Sequence, residues 1–207
     1  NWQSAGETDY VCDGYLPIQE RDVSGNVLVT YTRGLDLSGT FGGAGGISGL
    51  LARTDGSGST FYHADVVGNI TSLTDSSGNA VARYLQDPFG RPLGMWGTMG
   101  PVNRMQVSSA PTDPSGGVHF PFRDYDTILQ RFRTGDPIGE LGGINRYGFV
   151  GNNPISYGDP FGLAYSYTSD AQGLSAMLQE GVPGPAPYLK AEGGGKDRWF
   201  EYPIGIV

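Results

Sequence analysis

Asp136-Pro-Ile-Gly-Glu-Leu-Gly-Gly-Ile-Asn-Arg-Tyr-Gly-Phe-Val-Gly-Asn-Asn-Pro-Ile-Ser-Tyr-Gly-Asp-Pro-Phe-Gly-Leu163 is bounded at both ends by an Asp-Pro-x-Gly step. Asp at the first position, Pro at the second and Gly at the fourth is the composition of a type I turn. The carboxylate bonds its own backbone, Pro presets φ, and Gly leaves the turn without a steric penalty. A second cluster of turn formers, Asn152-Asn153-Pro154, lies between the two steps. The apolar and aromatic runs 144–150 and 155–157 are too short for helices and are predicted as strands.

The same turn chemistry spreads outward along the chain. Asp22-Val-Ser-Gly-Asn26 precedes the β-branched run 27–31, and Asp75-Ser-Ser-Gly-Asn79 precedes 80–84. Asp, Ser, Gly, Asn and Tyr stand at identical offsets in the two units. Gly68-Asn69-Ile70 precedes 71–74 in a related way. A further strand is predicted over 10–16, and another over 118–123, where Pro121 places it at a sheet edge. Turns every ~10 residues with strands between them predict an all-β fold of antiparallel hairpin repeats. Asp-Pro-x-Gly occurs at Asp87, Asp113, Asp136 and Asp159, so the tetrapeptide is first of all a structural turn.

Composition excludes several classes. Thirteen Lys and Arg stand against 21 Asp and Glu, a net charge of −8. That balance argues against nucleic-acid partners and against anionic membranes. No run approaches the ~18 apolar residues of a transmembrane segment. Cys12 is the single cysteine, so the chain has neither an internal disulfide nor a thiolate metal site. The Gly-rich run 34–51 lacks the Gly-Lys-Ser/Thr of a phosphate loop and reads as a place of close backbone approach. His63 and His119, the two histidines, read as hairpin residues with satisfied imidazoles. No metal and no cofactor are expected, and no Gly-x-Ser-x-Gly elbow supports a Ser-His-Asp triad.

Arg123-Asp124-Tyr125-Asp126, Gln130-Arg131-Phe132, Asp136-Pro137-Ile138-Gly139, Asn145-Arg146-Tyr147, Asn152-Asn153-Pro154 and Asp159-Pro160-Phe161-Gly162-Leu163 follow one another in order. This succession resembles the core signature of the RHS (YD-repeat) family, over roughly residues 8 to 163. The resemblance implies that the hairpins form a curved open sheet, a partial version of the family's shell. It implies a core over 1–163 with a boundary after Leu163. Beyond it 164–207 reads as a Pro/Gly-rich, irregular tail, in which Asp170 as cap, the spacing of Ala171, Leu174, Met177 and Leu178, and Gly181 as stop make 170–179 a candidate short helix. The resemblance also implies an aspartyl-protease-like self-cleavage after Leu163, with Asp136 and Asp159 as the catalytic carboxylates. The family places Arg directly before the first of these Asp, where this chain has Gly135. Arg131 is the candidate support in its stead, with Arg123 and Arg133 as further choices.

Two functions follow from this reading. One is a non-enzymatic structural and interaction module, an extracytoplasmic subunit of bacterial type docked in a larger assembly. It would meet protein partners through its sheet edges and its C-terminal tail. The alternative is the self-cleaving core of a polymorphic toxin.

Overall fold

The computed structural model describes residues 8–163 and 165–167. Eight strands form one sheet: β1 (Asp9–Asp13), β2 (Leu16–Arg21), β3 (Val27–Arg33), β4 (Leu50–Asp55), β5 (Gly58–Ala64), β6 (Ile70–Thr74), β7 (Ala80–Gln86) and β8 (Pro92–Trp96). Each pairs antiparallel with its neighbour in sequence, and β1 and β8 stay at opposite edges, so the sheet is open. β9 (Gly117–His119), β10 (Asp124–Asp126) and β11 (Arg131–Phe132) form a second, smaller sheet, and β12 (Tyr157–Gly158) pairs with β13 (Ser166–Tyr167). Helix is confined to three short 3-10 turns among the described residues. The tail beyond 167, with the candidate helix 170–179, lies outside the described residues.

One local device builds most of the hairpins. Asp22 takes the N–H groups of Ser24 and Asn26 on Oδ1 and the Asn26 side-chain amide on Oδ2, while its own carbonyl takes the Gly25 N–H. Asp65 and Asp75 repeat these bonds with Asn69 and Asn79. Asp87 and Asp113 make the same backbone bonds although both are followed by proline. The Asp-x-Ser-Gly-Asn and Asp-Pro-x-Gly steps are therefore one turn. In all five, the glycine closing the turn has φ between +80° and +87°. This is a type I turn ending in a left-handed residue, which leaves a bulge beside it. The register shifts at Glu20/Arg21, His63/Ala64, Leu73/Thr74 and Leu85/Gln86 fall next to the turns at Asp22, Asp65, Asp75 and Asp87.

Strand alternation then sets the core. Tyr10, Val29, Tyr31, Tyr62, Ile70, Leu73, Ala82 and Tyr84 are buried on one face. Residues 97–110 cross that face and bring Met105 into the cluster. Asn103 satisfies the phenols there: Tyr62 donates to Asn103 Oδ1 at 2.6 Å, and Asn103 Nδ2 donates to Tyr84 at 3.2 Å. A second cluster joins Val107, Val118, Phe120, Tyr125, Phe132, Phe149 and Val150 under the smaller sheet. Its rings pack closely, with Tyr125 stacked on Phe149 at 4.2 Å.

Two segments predicted as strands differ. Residues 144–150 touch β11 through a single bridge, Arg131 to Gly148. Asn145 turns this run back on itself, accepting the Tyr147 N–H on its side chain and the Gly148 N–H on its carbonyl. Of 155–157, only Tyr157 enters a strand. The first strand likewise breaks in two, with β1 and β2 meeting at Gly14, where φ is +59°.

Candidate functional site

Asp136 and Asp159 each open an Asp-Pro-x-Gly step, yet the structure buries both carboxylates, with 2% of either residue exposed. Each uses Oδ1 for its own turn. Asp136 Oδ1 accepts the Ile138 N–H at 3.0 Å, and Asp159 Oδ1 accepts those of Gly162 and Leu163 at 2.8 and 2.9 Å. Both Oδ2 atoms reach Arg123: Nη1 lies 2.8 Å from Asp136 and Nη2 lies 3.2 Å from Asp159. The two carboxylates, 23 positions apart in sequence, are thus brought to a single guanidinium. The chain between them returns through turns, not through a two-stranded hairpin.

Arg123 reaches this point because it leaves a tight turn in which Phe120 N–H bonds the Arg123 carbonyl. Its guanidinium lies 3.6 Å over the Phe132 ring, a face that attracts a cation. Nε donates to the Gly162 carbonyl and Nη1 to that of Arg146. The side chain is therefore fixed by carbonyls and an aromatic face as well as by acids. Arg131 is elsewhere: it is exposed on β11, beside the fully buried Phe132. Period-two alternation puts the two on opposite faces. Arg133 likewise faces Asp113 and Asp126, not the pair. Alternation beside Phe132 is the one sequence signal that turns Arg131 away; packing, not a local motif, selects Arg123.

The turn of Asp159 is held from three sides. Tyr15, between β1 and β2, packs edge-on to Phe161 at 5.8 Å. The Phe161 carbonyl accepts the Phe122 N–H at 3.0 Å. The Gly-rich loop supplies the close approach that its composition suggests: a methyl on Gly45 would stand 2.5 Å from the Pro160 carbonyl oxygen. That loop is in turn organised by Asp36, which accepts the N–H groups of Ala44 and Gly46.

Burial dominates the electrostatics. Two carboxylates and one guanidinium carry a net negative charge away from water, and one added proton neutralises the cluster. Desolvation accordingly raises the Asp159 carboxyl to about 6, against the opposing pull of Arg123 and the two N–H groups. Desolvation also raises Asp136, opposed by the Ile138 N–H and by Arg123 and Arg146. A pair that holds one proton up to about pH 6 offers an acid and a base together there.

The backbone of Leu163 lies in the same place. Its N–H is on Asp159. A methyl built on Gly142 would stand 2.5 Å from its carbonyl oxygen and closer still to Asp136 Oδ2, so that oxygen and Asp136 face one small volume. A cavity of about 230 Å³ lies apart, between β7, β8 and residues 100–116, and neither acid lines it. Among the described residues, no group of His, Cys, Asp and Glu could hold a metal ion. No helix among them is long and apolar enough to cross a membrane.

The fold and site define an open antiparallel β-sheet protein with a buried Asp–Arg–Asp cluster beside the turn of Asp159. No family model matches the chain. Over 126 residues it is 32% identical to double-stranded DNA deaminase toxin A of Burkholderia cenocepacia (strain H111), a match covering 56% of the chain and 8% of that protein. Over 163 residues it is 28% identical to the tRNA3(Ser)-specific nuclease WapA of Bacillus spizizenii, covering 75% of the chain and 6% of the nuclease. Among solved structures, TcdB2-TccC3-TEV superposes with a TM-score of 0.59 at 19% identity, over 79% of the chain and 8% of its counterpart. The Photorhabdus luminescens Tc holotoxin pore bearing a TccC3 mutation gives 0.61 at 17% identity, over 80% and 8%. The chain spans less than a tenth of each of these proteins. It is thus similar in sequence to parts of a deaminase toxin and of a tRNA-specific nuclease, and it shares its fold with a part of a holotoxin pore.

Proposed function

We propose that this chain is an RHS-type core from a polymorphic toxin, and that the Asp136–Arg123–Asp159 cluster cuts the chain's own backbone after Leu163. The observation that carries the reading is the convergence of two buried carboxylates on one guanidinium, with the Leu163 N–H bonded to Asp159 and its carbonyl facing Asp136. In the reaction, the ionised member of the pair takes a proton from water as the water oxygen bonds to the Leu163 carbonyl carbon. The protonated member gives its proton to the carbonyl oxygen. As the resulting diol collapses, the bond to the Ala164 nitrogen breaks. That nitrogen takes up a proton from the pair while the pair's ionised member takes back a hydroxyl proton of the diol, leaving a carboxyl on Leu163, an amine on Ala164 and the pair with its one proton again. The bond is tethered beside the acids, so high effective molarity aids a reaction that need occur only once.

The module reading is the second component of the proposal, and the open sheet favours it. β1 and β8 are edges with no further strand among the described residues, and such edges accept strands from other chains. We place the protein outside the cytoplasm, in keeping with its toxin relatives, as a core docked in a larger assembly. Intact mass tests the cleavage. The chain held near pH 6 should convert from 22.0 kDa into two fragments meeting at Leu163–Ala164. Asp136→Asn and Asp159→Asn should each stay whole. A wild-type chain that remains intact from pH 4 to 8 would overturn the reading.

A further inference from the structure

Hydrolysis at Leu163 requires a water at its carbonyl carbon, yet Asp136, Asp159, Arg123 and Leu163 are all buried. Arg123 stacked on Phe132 closes one side, and the Gly-rich loop against Pro160 flanks the Asp159 turn. The remaining wall is the 3-10 turn Gly139–Gly142, and it is of a different kind. None of its residues is buried; Leu141 is 84% exposed, and Ile144 just beyond it is 93% exposed. Besides the 3-10 turn's own bonds, Gly139 N–H to the Asp136 carbonyl and Gly143 N–H to that of Glu140 tie its two ends, each at 3.0 Å.

This exposed turn nonetheless lies directly on the reacting groups. The Cβ that Gly142 lacks would fall 2.5 Å from the Leu163 carbonyl oxygen and nearer still to Asp136 Oδ2. Unlike Gly139 and Gly143, at +67° and +134°, Gly142 does not have φ in the left-handed region. Contact, not backbone conformation, is what requires glycine there. The two left-handed glycines bracket the turn, and a methyl on either would meet nothing within 4 Å. Such positions absorb the dihedral changes of a hinge.

We propose that Gly139–Gly142 is a lid on the cleavage site, hinged at Gly139 and Gly143 and sealed by Gly142. Closed, it keeps water from the Leu163 carbonyl; cleavage waits on its displacement. The inference rests on the self-cleavage reading for its consequence, but not for its geometry.

Gly142→Ala tests it. The acids are pinned by Arg123 and by their own turn bonds, so the added methyl must push the exposed turn outward. Exchange of the Leu163 amide proton should quicken by about tenfold, and cleavage by a similar factor, the effect of ~1.4 kcal/mol on an opening equilibrium. The pH midpoints of cleavage should not move, because the acids keep their partners. Gly135→Ala is the control. A methyl there makes only ordinary contacts, 3.6 Å from Arg146 and Tyr147, and should change neither rate. Unchanged Leu163 exchange in Gly142→Ala overturns the lid whatever happens to cleavage, and so does slower cleavage with unchanged melting. Faster exchange in a chain that no variant cleaves keeps the lid and removes the protease.

Discussion

Replacing Asp159 with Asn should change how the stability of this protein depends on pH, and the structure sets both the sign and the size. The Asp159 carboxyl stands at about 6 in the folded chain against 3.8 for an ordinary aspartate, because burial penalises its charged form. Below the lower value both states are protonated, and folding gains its full contribution from this group. As pH rises from about 4 to 6, the unfolded chain releases its proton and the folded chain keeps it, so stability falls. A displacement of about two pH units at 1.36 kcal/mol each makes the loss about 3 kcal/mol, complete near pH 7. The amide introduced by Asp159→Asn cannot ionise and still offers an Oδ1 acceptor to the Gly162 and Leu163 N–H groups. The stability of wild type minus that of Asp159→Asn should therefore decline by about 3 kcal/mol between pH 4 and 7. In a chain of this size that is a relative fall in Tm on the order of 6–12 °C. Taking the difference cancels the exposed turn aspartates, which both proteins share. Thermal melts at half-unit pH steps, on samples shown intact by mass, measure it. A difference that is flat with pH refutes the argument. One that grows with pH reverses it, since Arg123 would then hold both acids ionised against their burial.

Four further outcomes follow from the same contacts. Arg123→Met leaves two buried carboxylates without their cation and should cost about 3–5 kcal/mol at pH 7, with much of the loss recovered at pH 4; Arg131→Ala, at an exposed site, should change urea unfolding by no more than about 0.5 kcal/mol. Cleavage, followed by mass, should fall as pH rises above about 6, where the pair loses the proton it needs. Tyr62→Phe removes the 2.6 Å bond to Asn103 Oδ1, which keeps only the longer one from the Met105 N–H at 3.3 Å, and should cost about 0.5–1.5 kcal/mol, the net worth of one hydrogen bond, with no effect on cleavage.

Much of the fold was legible because its repeat is local. An Asp-x-x-Gly turn carries its hydrogen bonds within five residues, so Asp22, Asp75 and Asp87 can be read as hairpins with no knowledge of what they pack against. Runs 27–31 and 80–84 lie inside β3 and β7 for the same reason. The stretch 144–150 looked strand-like by its apolar content, but Asn145 and its flanking glycines offered the backbone local partners, and those won. At the site, Asp136 and Asp159 could be named from the succession of motifs. Their counter-ion could not, because Arg131 and Arg133 lie nearer to Asp136 in sequence than Arg123 does, and packing selects the farthest of the three. Alternation against Phe132 disfavours Arg131. Nothing local announces that Arg123 stacks on that same ring, and Gly142 is one glycine among 35 until the carbonyl of Leu163 is placed beside it.

The same turn serves two ends, and the second oxygen of its aspartate separates them. At Asp22 and Asp75, Oδ2 meets an asparagine amide at the surface, and the amide with the backbone N–H groups lowers the carboxyl. These acids are ionised at any ordinary pH and act only as acceptors. At Asp136 and Asp159, Oδ1 still caps the turn, but Oδ2 faces a buried guanidinium, and desolvation drives the carboxyl upward. A turn that is chemically silent on a hairpin thus becomes a proton-holding group when its outer oxygen is taken out of water. The backbone need not be reinvented: Asp159 Oδ1 binds the Leu163 N–H by the bond that closes the hairpin turns, from the carboxylate to the amide four residues on. Proximity of acid to Leu163 is then a by-product of turn geometry. Burial of two such turns against one arginine supplies what the turns of Asp22 and Asp75 lack, a carboxyl whose charge is not settled.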